Sequence, residues 1–414
     1  MEDREPGGNR ILKLLYFVQY FPPETAAGLT LVKDMIEGFA KRGMDVVVYT
    51  PVPTRGVDDK TREYWKKHKV TKVNDHLVIK RMSLYREGTA FKQRAIRYFI
   101  FSFECIIKGI FVPADLYFLS SGPPSQTLVV GVLRHLTKKR ITYNLQDMFP
   151  DSLINAGMTK EDSKLVKIGR WMERVSYKNA HAIITVSDDM LKNVLGKGVD
   201  KAKLFMVRNW IDTDEFVPVP REKNVLFDTL RLEREKFYLV YSGNIGYTMG
   251  LEFVVQAMER VGEDIEFLIF GEGSDKEKLQ KYVAEKGIKN VRFLPFQDAK
   301  LISNVYSIGD MAVISGRKGL SGVSMPSKTW TIMATGTGIL AQFDKGSELD
   351  RTIKEAGCGV TVEPGNVEQI AEMIRELAKN KEKCSGYGEN ARKYAVDNIS
   401  KEKAIDEYFR IIKG

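Results

Sequence analysis

Stretches typical of buried strands alternate with helical periods along this chain, and the whole pattern occurs twice. In the first half, the strand-like runs cover residues 12–18, 46–49, 115–119, 141–144 and 182–186. Helical periods, such as 29–42 and 164–179, separate several of these runs. Because parallel strands are usually joined by a crossover helix, this alternation predicts an α/β fold built on parallel sheets.

The second half repeats the alternation with its own set of strands. These strand-like runs cover residues 237–242, 265–270, 291–294, 311–315, 339–342 and 360–362. Sheets of this doubly wound kind bind ligands at the carboxyl ends of their strands. The sequence therefore predicts two Rossmann-like doubly wound domains that face each other across a cleft.

The length of the chain agrees with two domains, since 414 residues with 43% hydrophobic residues can form two sizeable cores. We expect a disordered N-terminus over 1–10, a first domain over 11–208 and a second domain over 235–384. The stretch 209–234 contains two prolines and a mixed charge run, as is typical of a linker. The helical stretch 385–414 has no strand after it, so we expect it to cross back to the first domain.

Two loops of the first half carry candidate site residues. The segment that follows the first strand ends in small residues, including Ala27 and Gly28, just before a helix begins. Small residues let a ligand approach the backbone, and a helix N-terminus suits phosphate, although a plain tight turn is the alternative. Asp147 follows the strand 141–144 and is a candidate to steer or deprotonate an acceptor hydroxyl, or merely to cap its loop.

Three loops of the second half also place glycine or basic residues directly after strands. Gly243 and Asn244 follow the first strand of this half, and Gly271 and Gly273 follow the next. The third loop is rich in glycine and runs from a strand that ends near residue 315 to a helix that opens near residue 327.

That third loop contributes Arg317, Ser327 and Lys328. Backbone N–H groups together with two cations are suited to hold a diphosphate. A structural loop with two solvated cations is the alternative.

Seven segments together resemble the retaining glycosyltransferases of family 4, in the WbuB-like branch of surface-polysaccharide sugar transferases. The segments are YFPPETAAG, QDMFPDS, AHAIITVSDDM, VRNWIDTDEF, YSGNIGYTMGLE, FLIFGEGSDKEKL and VSMPSKTWTIMATG. They occur in the expected order over residues 11–365. The resemblance implies a GT-B fold and sugar transfer with retention from a nucleotide diphosphate donor, such as a UDP-hexose or a UDP-N-acetylhexosamine.

The same resemblance implies where the substrates bind. The base is expected near Gly271, Gly273 and Phe296, and the diphosphate near Gly28, Asn244 and the helix start at Ser327 and Lys328. The acceptor is expected near Asp147. Members of the family use neither a metal nor a cofactor beyond the donor, since basic groups and helix dipoles neutralise the leaving group.

The sequence departs from the family pattern at four positions. Members usually carry two glutamates eight positions apart, and here Val323 and Thr331 stand in their places. The usual Arg and Lys of the glycine loop are replaced by Asn244 and Met249. Ribose binding and the phosphate contact are therefore altered, and we expect Arg317 and Lys328 to supply the missing charge.

Most of the net charge of +10 comes from one segment, because residues 60–108 contain 13 Lys or Arg against 4 Asp or Glu. No RNP, zinc or KH signature accompanies it, so we expect no nucleic acid partner. Within it, 91–111 is basic at its start and then apolar, which is typical of a helix in an anionic membrane interface. The predicted membrane contacts are Lys92, Arg94, Arg97, Phe99 and Phe103, and a core helix with a solvated basic end is the alternative.

The chain shows no apolar run of about 20 residues that would span a bilayer, and its N-terminus does not resemble a signal peptide. We therefore expect a cytoplasmic protein, peripheral on the inner face of the membrane, with a polyprenyl diphosphate-linked acceptor glycan. Two other functions stay open, a UDP-sugar 2-epimerase and a non-catalytic sugar-nucleotide-binding scaffold. The histidines, His68, His76, His135 and His181, lie outside the glycine loops, which disfavours the epimerase, whereas Val323 and Thr331 favour the scaffold.

Overall fold

The computed structural model describes residues 11–26, 28–88, 91–155, 159–319 and 325–414. The chain forms two compact units. One consists of Met1–Asn209 together with Ala404–Gly414, and the other of Trp210–Lys403. Each unit is built around its own sheet, so each is described by itself.

An eight-stranded sheet forms the centre of the first unit. Its strands are β1 (Lys13–Phe17), β2 (Asp45–Pro51), β3 (Val70–Asn74), β4 (Leu77–Met82), β5 (Leu116–Ser120), β6 (Arg140–Leu145), β7 (Ala182–Thr185) and β8 (Leu204–Met206). Their order across the sheet is β3-β4-β2-β1-β5-β6-β7-β8, and β3 pairs with β4 in antiparallel fashion while the other neighbours are parallel. Five of these strands were expected from the sequence, whereas β3, β4 and β8 were not.

Helices cross between the strands of this sheet. They are α1 (Leu29–Lys41), α2 (Asp59–Lys67), α3 (Phe91–Phe111), α4 (Gln126–Thr137), α5 (Asp151–Asn155), α6 (Lys164–Asn179) and α7 (Asp188–Gly196). Local chemistry fixes where two of them begin. The hydroxyl of Ser163 accepts from the N–H of Val166 at the start of α6, and Ser187 caps α7 in the same way.

The second unit contains a six-stranded, fully parallel sheet. Its strands are β9 (Phe237–Ser242), β10 (Ile265–Phe270), β11 (Val291–Leu294), β12 (Met311–Ser315), β13 (Gly338–Gln342) and β14 (Gly359–Val362), in the order β11-β10-β9-β12-β13-β14. The remaining helices are α8 (Val225–Thr229), α9 (Leu251–Met258), α10 (Lys276–Lys286), α11 (Ile302–Tyr306), α12 (Lys328–Ala334), α13 (Glu348–Ala356), α14 (Val367–Ala378), α15 (Lys381–Asn398) and α16 (Lys401–Lys413). All six strands expected in this half are present, and the predicted α/β class is confirmed.

The bounds of the two units differ from those expected for domains and linker. Residues 210–234 lie in the second unit, where Leu226 and Phe227 of α8 are buried in its core. Within the helical stretch 385–414, residues up to Lys403 also lie in the second unit. The amphipathic α8 explains the first difference, because its apolar side packs on the sheet while its polar residues give the stretch the composition of a linker.

The last residues of the chain pack on the first unit. The buried hydroxyl of Tyr408 donates to Oδ1 of Asn144 at 3.0 Å, near the carboxyl end of β6. Ile405 fills the space beside Gly38 of α1, where an added Cβ would lie 2.6 Å from its side chain. Burial of Ile405, Tyr408 and their apolar neighbours therefore stabilises this unit with a segment distant in sequence.

Among the residues that the structure describes, none of the helices is both long enough and apolar enough to span a bilayer.

Candidate functional site

The two glycine loops of the second unit are in direct backbone contact at the carboxyl ends of β9 and β10. An added Cβ on Gly271 would lie 2.0 Å from the carbonyl oxygen of Gly243, and one on Gly273 would lie 2.2 Å from that of Ile245. The N–H of Gly243 also donates to the carbonyl of Phe270 at 2.9 Å. Any side chain at Gly271 or Gly273 would separate the loops, so glycine is required there by packing.

Lys328, the first residue of α12, extends its side chain to the same place. Its Nζ lies 3.7 Å from the centre of the Tyr241 ring and would be 2.7 Å from a Cβ added to Gly243. The Tyr241 hydroxyl in turn donates to the carbonyl of Asn244 at 2.6 Å. Two segments distant in sequence, the end of β9 with its glycine loop and the start of α12, thus meet at this amine.

The electrostatic setting of this amine is unusual for lysine. Within the described part of the chain, the structure shows no carboxylate in an ion pair with Lys328, and its amine lies over the electron-rich face of the Tyr241 ring. Burial lowers the pKa of Lys328 to about 7. The amine is therefore close to the point where it changes charge at neutral pH, and an anion placed beside it would favour the protonated form.

Arg317, the other cation expected at the diphosphate, is already engaged. Its guanidinium forms an ion pair with Glu252 on α9, and its Nε donates to the carbonyl of Tyr247 at 2.6 Å. The same guanidinium stacks 3.8 Å from the centre of the Tyr247 ring. Arg317 therefore braces the turn that follows the Gly243 loop, and in this conformation Lys328 is the cation over the loop.

Four further predicted donor residues lie where the chain order places them. Asn244 and Ser327 are exposed at the Gly243 loop and just before α12, and Phe296, just after β11, is 52% exposed. Gly28 adopts a left-handed backbone, with φ of 76°, immediately before α1. Ala27 lies outside the described residues.

The two positions where the resemblance expects glutamates differ in what can be said of them. Thr331 lies on α12, one helical turn after Lys328, and is partly buried. Val323 lies outside the described residues. Thr331 therefore occupies the same helix as the amine but cannot supply a carboxylate.

In the first unit, the loop after β1 is held by a buried carboxylate, Glu24, that was not expected from the sequence. One Glu24 oxygen accepts from the N–H of Thr54 at 2.7 Å and from that of Arg55 at 3.2 Å, and the other accepts from Phe21 at 3.2 Å. These contacts tie the loop after β1 to the loop after β2. The signal in the sequence was a single acid between a strand and a helix, inside YFPPETAAG.

A second cluster joins the loop after β4 to the same place. The Arg55 guanidinium donates to both Glu87 oxygens, at 2.9 and 3.1 Å, and stacks 4.4 Å from the centre of the Tyr20 ring. The Tyr20 hydroxyl donates to the Glu87 carboxylate at 3.0 Å. The loops after β1, β2 and β4 are therefore fixed together at the carboxyl edge of the sheet.

Asp147 is exposed and lies directly after β6. One of its oxygens accepts from the N–H of Met148 at 2.7 Å, and its own N–H donates to the Ser121 hydroxyl at 3.0 Å. The loop is thus capped by Oδ1, as one interpretation of the sequence expected. Oδ2 has no hydrogen-bond partner in the described part of the chain, so it is available to an acceptor hydroxyl.

The predicted membrane contacts on α3 separate into two groups. Lys92 and Arg94 are exposed, and the side chains of Phe99 and Phe103 are 59% and 63% exposed. Arg97 is instead 1% exposed, with its guanidinium 3.5 Å from the Thr54 hydroxyl, so its assignment as a surface contact must be corrected.

The helical period explains the correction. Arg97 has the same phase on α3 as the buried residues Phe101 and Cys105, whereas Phe99 and Phe103 share the exposed phase with Ile96 and Ile100. The exposed side of α3 is therefore more apolar than its charged residues suggested.

Among the residues that the structure describes, no group of three or more His, Cys, Asp or Glu side chains is placed to hold a metal ion.

Two α/β units, each built on a sheet of mostly parallel strands, are typical of GT-B proteins. Two family models match this chain, "Glycosyltransferase Family 4" over residues 30–215 and "Glycosyl transferases group 1" over residues 222–394. Between them the matches span most of both units. The chain therefore belongs to the family 4-type glycosyltransferases of GT-B fold, as the resemblance implied.

Individual proteins agree with this assignment. The chain is 27% identical over 288 residues to the putative colanic acid biosynthesis glycosyl transferase WcaI of Escherichia coli K12, which is 68% of this chain and 70% of WcaI. Sucrose-phosphate synthase from Thermosynechococcus elongatus superposes with a TM-score of 0.74 at 15% identity, covering 97% of this chain and 98% of the synthase. Anabaena HepE in complex with UDP gives a TM-score of 0.70 at 13% identity, covering 97% and 100%. At these low identities, the two structural similarities show a shared fold.

Because Lys328 changes charge near neutral pH, the pH dependence of UDP binding tests whether this residue contacts the diphosphate. A diphosphate in contact with Lys328 would bind its protonated amine, and a pKa near 7 means that protonation becomes costly above neutral pH. We predict that UDP affinity falls as pH rises from 7 to 9, by up to about tenfold per unit. Titration calorimetry measures the profile. Lys328→Arg should flatten it, because a guanidinium stays charged throughout this range, and a flat profile for the wild type would remove Lys328 from the diphosphate contact.

Proposed function

We propose that this glycosyltransferase moves a sugar, with retention, from a UDP-linked donor to a lipid-linked glycan during surface polysaccharide assembly. Glycosyl transfer follows from membership of the family. We propose in addition the donor, the acceptor and the stereochemistry of the transfer. The observation that carries the proposal is the Lys328 amine over the paired glycine loops, without a carboxylate partner among the described residues.

The geometry of the second unit supports a diphosphate donor. Departure of a nucleoside diphosphate builds negative charge on its terminal phosphate, and a cation already in place stabilises that charge without reorganisation. Lys328 is such a cation, and its amine lies beside the Gly243 loop. Uridine is proposed on the family resemblance and on the fold shared with HepE, whose structure contains UDP.

The first unit supports the acceptor side. In this proposal, Asp147 Oδ2 accepts a hydrogen bond from an acceptor hydroxyl, which would orient the hydroxyl and draw off its proton as the new bond forms. The ties through Glu24 and Glu87 hold the neighbouring loops in fixed positions, as a site that must orient two substrates requires. A glycan acceptor is proposed because WcaI is named for colanic acid biosynthesis.

The lipid-linked nature of the acceptor is proposed from α3. Its exposed side combines Lys92 and Arg94 with Phe99 and Phe103, which suits the interface of an anionic membrane. A protein bound there would meet a polyprenyl diphosphate-linked glycan at the cytoplasmic face. This is the peripheral location expected from the sequence.

Replacing Asp147 by Asn tests the acceptor role separately from the capping role. An Asn carbonyl oxygen can still accept from the Met148 N–H, so the loop is retained while the negative charge is lost. We predict that kcat falls by about 10²-fold or more, the usual contribution of acid–base catalysis, with UDP affinity unchanged. Steady-state kinetics with calorimetry measure both quantities, and an unchanged kcat would leave Asp147 with capping alone.

Chelation tests how the leaving group is neutralised. Because we propose that Lys328 neutralises that charge, transfer should proceed at an unchanged rate in EDTA. Release of UDP and formation of product are followed together, so that a 2-epimerase would be revealed by its epimer and a scaffold by lack of turnover. Complete loss of transfer in EDTA, restored by manganese, would contradict the metal-independent mechanism.

Liposome flotation tests the membrane role of α3. With Lys92 and Arg94 both changed to Glu, partitioning onto anionic vesicles should fall by about 30-fold or more, since each cation near such a surface contributes about 1 kcal/mol. The control carries Lys278→Glu and Lys281→Glu, an equal charge change on exposed residues of α10. Equal flotation of variant and control would place the membrane contact away from α3.

A further inference from the structure

Three neighbouring helices of the first unit, α3, α4 and α6, pack side by side through glycines. An added Cβ on Gly109 of α3 would lie 2.5 Å from the Leu133 side chain of α4, and one on Gly131 of α4 would lie 2.7 Å from Val175 of α6. Helices in such close contact expose adjoining outer sides. The outer side of α6 therefore continues the surface to which α3 contributes.

The outer side of α6 is apolar at three positions. Leu165, Ile168 and Trp171 are spaced three residues apart, and the Trp171 side chain is 52% exposed. Such a row is unusual on a soluble surface unless it contacts a partner. Tryptophan in particular favours the boundary between lipid and water.

Cations follow directly along the same helix. Arg174 and Lys178, one and two turns after Trp171, are both exposed. Together with Lys203 they line a cavity of about 710 Å³ between α6 and the turn after α7. Apolar and basic side chains thus share one continuous strip of α6.

The charged side chains on one wall of this cavity are already paired with one another. Lys197 and Arg170 are paired with Asp151 and Glu173, through a Lys197–Asp151 contact of 2.6 Å and an Arg170–Glu173 contact of 3.3 Å among others. Two cations and two carboxylates leave this network neutral. Its charges are therefore not available to a ligand.

The rest of the lining carries excess positive charge. In the described part of the chain, Arg174 and Lys178 make no ion pair, and the Lys203 amine donates to the carbonyl of Tyr177. Asp200 is the one further carboxylate in the lining, and its Oδ1 already accepts from the N–H of Ala202. Three cations against one carboxylate leave room and charge for a bound anion.

We propose that this cavity holds the headgroup phosphate of an anionic phospholipid while Leu165, Ile168 and Trp171 enter the same leaflet. The inference rests on the proposed membrane role of the first unit and extends it from α3 to a defined headgroup site on α6. The apolar row distinguishes a lipid from a free phosphate, because a soluble anion gains nothing from exposed Trp and Ile. Charge complementarity distinguishes an anionic lipid from a neutral one.

Flotation of the full chain tests the proposal with vesicles of phosphatidylcholine alone and of phosphatidylcholine mixed with phosphatidylglycerol. We expect wild type to float with the mixed vesicles only, and Arg174→Glu with Lys178→Glu to lower partitioning by about 30-fold or more. Because neither residue has an ion-pair partner in the described structure, the double variant should fold normally, as a thermal melt would verify. The control is again Lys278→Glu with Lys281→Glu on α10, which matches the charge change.

Further variants and ligands separate the sources of anionic charge. Trp171→Ala should weaken flotation while leaving calorimetric binding of glycerophosphate unchanged. Glycerophosphate binding without flotation would make the cavity a soluble phosphate site and overturn the lipid assignment. Tighter binding of a single-stranded RNA than of the mixed vesicles, lost in the double variant, would overturn it as well.

The outcome for this site is distinguishable from that for the enzyme. Sugar transfer to a short soluble acceptor should be unaffected in the Arg174 and Lys178 variant. If the variant floats like the control while the α3 variant does not, the α6 site is wrong and the proposed function stands. If wild type transfers no sugar yet flotation follows the expected pattern, the proposed function fails and the lipid site stands.

Discussion

The backbone contact between the Gly243 and Gly271 loops is the constraint on which the candidate donor site depends. Each loop follows a parallel strand, and without side chains the two approach closely enough for the carbonyl of Gly243 to occupy the place of a Gly271 Cβ. The Lys328 side chain is accommodated for the same reason, since its Nζ takes the place of a side chain at Gly243. The absence of side chains in these loops therefore leaves room at the end of β9 for an amine from a helix about 85 residues further along the chain.

In the two units, the loops at the carboxyl ends of the strands are held in place by different contacts. In the second unit the loops are fixed by glycine packing, and Arg317 is used to hold the neighbouring turn against Glu252. In the first unit buried or partly buried carboxylates tie the loops, with Glu24 bonded to backbone N–H groups and Glu87 to Arg55. Both arrangements are costly to disturb, for different reasons. A side chain at Gly271 would separate the loops of the second unit, whereas removal of Glu24 would leave buried N–H groups of the first unit without partners.

Much of the fold was predictable because the signal was local. Long apolar strands such as β9 and β10 are buried on both faces, and their runs are visible in the sequence. By contrast, β3 is largely exposed and polar, with the sequence VTKVN, so periodicity gave no sign of it. Residues 210–234 have a polar, Pro-containing composition, yet the two buried residues of α8 place them in a core.

In the candidate site, too, the features that follow from local sequence were predictable and the long-range pairs were not. The positions of Gly243, Gly271 and Lys328 follow from strand ends, whereas the Arg55–Glu87 pair joins residues 32 apart along the chain and leaves no local pattern. The charge of Arg97 suggested a surface contact, whereas its helical phase puts it on the buried side of α3. The partner of Arg317 was missed for a related reason, since Glu252 lies 65 residues away on another helix.

The central claim, sugar transfer from a UDP-linked donor to a lipid-linked glycan, is tested most directly by the product itself. Purified protein is incubated with candidate UDP-sugars and a polyprenyl diphosphate-linked glycan, and the product is analysed by mass spectrometry and NMR. We expect an acceptor heavier by one sugar, one UDP released per sugar transferred, and the same anomeric configuration at the new bond as in the donor. An inverted linkage, or UDP release without a glycosylated product from any donor and acceptor pair, would contradict it.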